Sequence, residues 1–119
     1  EDQALVINTK KGLVVIAGCG HAGIVNTMEY AGVIAEGKSI HAVLGGFHLL
    51  RLTDERVGWT GAKMHEFGVQ HVLGAHCTGI NAVNLLRDSA HLGRKTSVVG
   101  TVGSVFTLED GIQLGALNR

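Results

Sequence analysis

The chain has 119 residues, 45% of them hydrophobic, with ten basic and ten acidic side chains and a formal net charge of zero. That length supports one compact domain, 1–119, and the balanced charge excludes nucleic acid and anionic membranes as electrostatically favoured partners. The longest apolar runs are strand-sized, short of the roughly 20 residues that span a bilayer, and no basic-then-apolar leader opens the chain, so a soluble cytoplasmic protein is expected.

From the amino end, ALVINT and LVVIAG are β-branched runs separated by Lys10, Lys11 and Gly12, which predicts a hairpin. Residues 23 to 36 place Ile24, Met28, Ala31 and Ala35 on one stripe with Val25 and Ile34 beside it, the spacing of an amphipathic helix. SIHAVLGG is the next strand. Thr53 then offers an N-cap, with Asp54 and Glu55 as first-turn acids, for a helix running to about Phe67 with Gly68 as its stop; Val57, Met64 and Phe67 would face the core. VQHVLGA repeats the strand. Thr78 is placed to cap a third helix carrying Ile80, Val83, Leu86 and Ala90 before Gly93 ends it, and TSVVGTV and SVFTLE close the chain as strands.

The order β-β-α-β-α-β-α-β-β predicts a layered α/β sheet with helices mainly on one face. LVVIAG and HAVLGG lack polar alternation, so both faces of the sheet should be covered, the second by another chain or by a missing half. The chain opens at Glu1, directly on strand material and without methionine, as a processed product or a piece of something longer would.

Three apolar runs end in glycine and then histidine, at His21, His48 and His76. Loops at the carboxyl ends of strands present side chains to ligands, so these three imidazoles point to one shared site. Cys19 and Cys77 each flank one of them, which fits a reduced compartment and a metal or polar site better than a disulfide, although one bridge between them is an alternative. Cys77 reads as a small buried apolar side chain, Trp59 and Tyr30 as packing residues, and His41, His65, His71 and His91 as structural histidines.

The glycine loop carries two readings. Gly18, Gly20 and Gly23 satisfy G-x-G-x-x-G between a strand and a helix, the context of a nucleotide-binding turn. The acid that should bind a ribose is missing from the end of the next strand, where Gly45, Gly46 and Phe47 stand, and Glu36 lies before that strand. The alternative is a metal: imidazole nitrogens and a thiolate suit zinc, and water on a catalytic zinc is acidified to a pKa of about 7. No G-x-S-x-G elbow occurs, which argues against a serine hydrolase.

The segments DQALVINTKKGLVVIAGCGHAGIVNTMEYA, AVLGGFHL and HCTG, the last followed by a helix and VGTVGS, resemble the carboxyl-terminal half of the metallo-β-lactamase fold. The similarity is greatest to the branch of 7,8-dihydropterin-6-methyl-ribofuranosylaminobenzene phosphate synthases. The resemblance implies half of an αββα sandwich and a hydrolase whose metal-bound hydroxide attacks an ester, amide or phosphodiester. It implies His76, His21 and Cys19 as metal ligands, one or two zinc ions (with iron, manganese or nickel as alternatives), and His48 lining the pocket as a proton donor. Two departures stand out: the branch's serine in GCSH is Gly20 here, and the ligand-rich H-x-H-x-D-H segment of the amino-terminal half is not in this chain. A homodimer, or association with an amino-terminal half, would complete such a site around a small-molecule substrate. The competing readings are a non-catalytic half-domain that binds metal weakly and a small nucleotide-binding module.

Overall fold

The structure, a computed structural model, describes residues 2–115. β1 (Ala4–Thr9) and β2 (Gly12–Ala17) form the expected hairpin, in which the Thr9 hydroxyl donates to the Gly12 carbonyl at 2.6 Å. There follow α1 (Ile24–Ile34), β3 (Ile40–Gly46), α2 (Asp54–Glu66), β4 (His71–Ala75), a single 3-10 turn (His76–Thr78), α3 (Ile80–Ser89) and β5 (Ser97–Val99). β6 (Val105–Thr107) and β7 (Gly111–Gln113) close the described chain as a separate hairpin, where one strand was expected from SVFTLE. No helix among the described residues is long and apolar enough to cross a membrane.

The main sheet has the order β1-β2-β3-β4-β5, antiparallel between β1 and β2 and parallel from β2 onward. Its core side carries Leu13, Val15, Ala17, Val43 and Val72, packed in one buried cluster with Ile24, Met28 and Ala31 of α1, Val57 and Met64 of α2, and Ala82 and Leu86 of α3. All three helices therefore sheathe one face, as their apolar stripes require.

The opposite face is apolar too, because cross-strand partners share a face. The register aligns Leu5, Ile16, Leu44, Leu73 and Val98 in one row across all five strands. Leu5 is 57% exposed and Ile16 36%, so this row lies open at its β1 end. The β6–β7 hairpin covers only the other end of the strands, where Phe106 packs on the rings of His41 and His71.

Several local expectations need correction. Thr53 does cap α2, accepting the Arg56 amide, but Thr78 does not cap α3: it lies in the 3-10 turn, and Gly79 takes the cap position without a side-chain bond. The third helix ends at Ser89 rather than at Gly93, in a paired-bond turn (Leu92 to Arg87, His91 to Asp88) that puts His91 in the left-handed region. Ile80 is 66% exposed, and Trp59 and Tyr30, expected to pack, are 53% and 67% exposed. Burial of α3 runs through Ala82, Val83 and Leu86 instead.

Candidate metal centre

The parallel register sets Ala17 opposite Gly45 and Gly46 opposite Ala75, so the carboxyl ends of β2, β3 and β4 lie side by side. The three glycine-histidine loops consequently emerge at one edge of the sheet. Their close approach is what the glycines permit. A Cβ on Gly46 would collide with the Gly18 carbonyl oxygen and stand 3.1 Å from the Cys77 sulfur. At Gly20, φ is +68°, and a Cβ would sit 3.0 Å from the Gly46 oxygen. The G-x-G-x-x-G spacing is thus met by loop crowding and a positive φ, with no phosphate needed to explain it.

Hydrogen bonds lock the loops together. The fully buried Thr78 hydroxyl accepts the Phe47 amide at 3.1 Å and donates to the Gly45 carbonyl at 3.3 Å. The Leu50 amide donates to the Cys77 carbonyl at 3.1 Å. Cys77 Sγ accepts the His48 amide at 3.3 Å and donates to the Cys19 carbonyl at 3.2 Å. Its expected role as an inert apolar filler is therefore incomplete, because this half-buried thiol touches both neighbouring loops.

Cys19 Sγ lies 3.4 Å from His76 Nδ1, and with Cys77 Sγ these ligand atoms all fall within 4.8 Å of one another. His76 has φ 50°, as His48 has φ 51°. A left-handed residue other than glycine costs about 1–2 kcal/mol, and such strain concentrates where side chains are aimed at ligands. In a continuing strand, His76 and Cys77 would point to opposite faces; the left-handed turn aims both at Cys19. That is why spacing alone did not reveal Cys77.

Of the residues singled out in sequence, Cys19 and His76 are brought together. His21 and His48 form a second pair, edge to face with ring centroids 4.5 Å apart, and His21 does not join the sulfur-nitrogen cluster. Desolvation pushes the Cys19 thiol above its ordinary value, and neighbouring Cys77 and Asp2 add to the shift. The Ala22 amide, 2.9 Å from Asp2, holds that exposed carboxyl below its ordinary value. Both cysteines are free. Two half-buried sulfurs and one exposed imidazole at a sheet edge suit a soft or borderline transition metal such as zinc.

No family model matches the chain. The fold is nevertheless that of part of a metallo-β-lactamase-superfamily protein, and the chain is a homologue of members of that superfamily. In particular, it is 37% identical over 89 residues to the 7,8-dihydropterin-6-methyl-4-(beta-D-ribofuranosyl)-aminobenzene-5'-phosphate synthase of Methanocaldococcus jannaschii, covering 74% of this chain and 30% of that protein. It is 36% identical over 95 residues to an uncharacterized protein of the same organism, covering 78% of this chain and 33% of the other. The crystal structure of a metal-dependent hydrolase of the β-lactamase superfamily superposes with a TM-score of 0.66 at 43% identity, covering 73% of this chain and 34% of that one. The chain thus spans about a third of the length of the relatives it matches.

Proposed function

We propose that this chain carries the metal-holding edge of a metallo-β-lactamase-type hydrolase, with Cys19, His76 and Cys77 as donors. The observation that carries the reading is the gathering of those three ligand atoms within 4.8 Å at the ends of adjacent strands. A bound ion, with zinc the first choice, would supply Lewis acidity and acidify coordinated water for attack on an ester, amide or phosphodiester. His48, in the adjoining pocket, hands a proton to the leaving oxygen, and His21 orients its ring from 4.5 Å away. The reduced thiols this requires agree with the cytoplasmic location expected from the sequence.

The 37% identity to the pterin synthase favours a second reading, in which the same edge serves a condensation of a pterin with a phosphorylated sugar. In either case the open apolar row through Leu5 and Ile16 is the face on which a second copy, or a ligand-rich amino-terminal segment, packs to complete the site.

The test is zinc content after purification without chelator or nickel resin, paired with hydrolysis of bis(4-nitrophenyl) phosphate. Near-stoichiometric zinc and turnover that both disappear in His76→Ala support the reading. Zinc uptake that survives His76→Ala, or turnover indifferent to it, refutes it.

A further inference from the structure

A cavity of about 350 Å³ opens beside the cluster, between the loop after β2, the start of α1, the loop after β3 and the first turns of α2. Arg56, His21, His48 and Asn26 supply its polar wall, and Trp59 and Leu52 much of the apolar one. The proposed metal chemistry uses neither Arg56 nor Trp59.

Both residues are unspent in the fold. Among the described residues the only ion pair is Lys63–Glu66, so the Arg56 guanidinium has no carboxylate partner. Trp59 is 53% exposed and Leu52 42%, although burying a large apolar side chain is worth about 1.5–3 kcal/mol. Spaced i and i+3 on α2, Arg56 and Trp59 share one helix face. No aspartate or glutamate lines the cavity, although Glu55 shares an adjoining recess with Arg56 and Trp59, and Asp2, bonded to the Ala22 amide, lies close enough to His21 to interact with it.

The lining therefore joins an arginine that has no ion-pair partner among the described residues, and two imidazoles, to an exposed indole. A guanidinium presents a planar fork that matches phosphate oxygens, imidazoles add further donors, and an indole face stacks on flat rings. The volume lies at the small end of ligand pockets, which run from about 300 to 1,000 Å³, and suits one ring with a short anionic substituent.

We propose that this cavity binds an aryl phosphate, its ring against Trp59 and its phosphate held by Arg56, His21 and His48. The proposal rests on the hydrolase reading only in making that ligand the substrate of the neighbouring edge; binding itself needs the cavity residues alone.

Trp59 is the only tryptophan of the chain, so its fluorescence reports the cavity directly. The full chain is titrated with phenyl phosphate, with phenol and with inorganic phosphate, in the presence of EDTA and again with zinc. Expected is saturable quenching by phenyl phosphate, with phenol and phosphate each binding about tenfold or more weakly, as loss of a charged contact worth 1.4 kcal/mol or more implies. Arg56→Gln should weaken phenyl phosphate by a similar factor, and calorimetry on Trp59→Ala should show a loss that Trp59→Phe largely restores. Phenol binding as tightly as phenyl phosphate, or an Arg56→Gln variant that binds unchanged, overturns the proposal. Binding seen only with zinc also overturns it, since the metal and not the cavity would then hold the phosphate. Failure of the metal reading shows separately, as a chain that takes up no zinc yet binds phenyl phosphate in EDTA.

Discussion

Replacing Thr78 by valine removes one oxygen and preserves the side chain's shape, and that oxygen ties the loop after β3 to the turn after β4. Thr78 is fully buried, and its hydroxyl is the partner of the buried Phe47 amide at 3.1 Å. Valine leaves that amide unsatisfied, at a cost of about 1–3 kcal/mol, while the Gly45 carbonyl loses a longer, weaker bond. The expected loss is about 2 kcal/mol, equivalent to a fall in Tm of about 8 °C for a domain of this size. Thr78→Ser is the control, because it keeps both hydrogen bonds and gives up one buried methyl worth about 1 kcal/mol. The assay is urea denaturation followed by circular dichroism on the two variants and the parent, with equal m-values required before midpoints are compared. The predicted order of stability is parent, then serine, then valine. A valine variant as stable as the serine one would refute the claim that this hydroxyl locks the site loops.

Other expectations follow from single features of the structure. Gly46→Ala would drive a Cβ into the Gly18 carbonyl, so it should unfold the edge or cost more than about 3 kcal/mol, read as loss of both zinc binding and thermal stability. Glu36, exposed at φ 56° after α1, should gain about 0.5–1 kcal/mol on replacement by glycine, and an unchanged denaturation midpoint would contradict that. Burial first, then neighbouring positive charge, lowers the pKa values of His41 and His71 below 6.5, and His71 Nδ1 is buried without a partner among the described residues. Below pH 6.5 the unfolded chain therefore binds protons before the folded one does. Stability present above that pH is lost as pH falls through the lowered values, seen as a declining Tm that flattens in His41→Phe. Leu5→Lys, in the open apolar row, should abolish any self-association detected by sedimentation velocity and leave the monomer folded.

Much of the architecture was legible because each element carried its own signal. The α2 boundaries followed from Thr53, the acids after it and Gly68, and the Val57–Met64 stripe does face the core. The glycine-histidine strand ends proved to be neighbours, since a parallel sheet puts every βα loop at the same edge. What sequence could not show arose from backbone geometry or tertiary contact. Cys77 joins Cys19 only because His76 adopts a left-handed φ, and no local pattern announces that. Thr78 looked like a cap because Ser and Thr favour that position, but its hydroxyl is claimed by β3 and its following loop. Trp59 fits an amphipathic packing pattern equally well, and its exposure is visible only once α2 is seated beside the cavity.

The central claim is that Cys19, His76 and Cys77 together hold a metal ion. Substituting cobalt(II) into the full chain and recording its near-ultraviolet absorption counts thiolate ligands without reference to activity. The account predicts thiolate-to-cobalt charge-transfer bands that fall by about half in Cys19→Ser and again in Cys77→Ser, and that vanish when both are replaced. Bands that are absent from the parent, or that persist undiminished in the double variant, would contradict it.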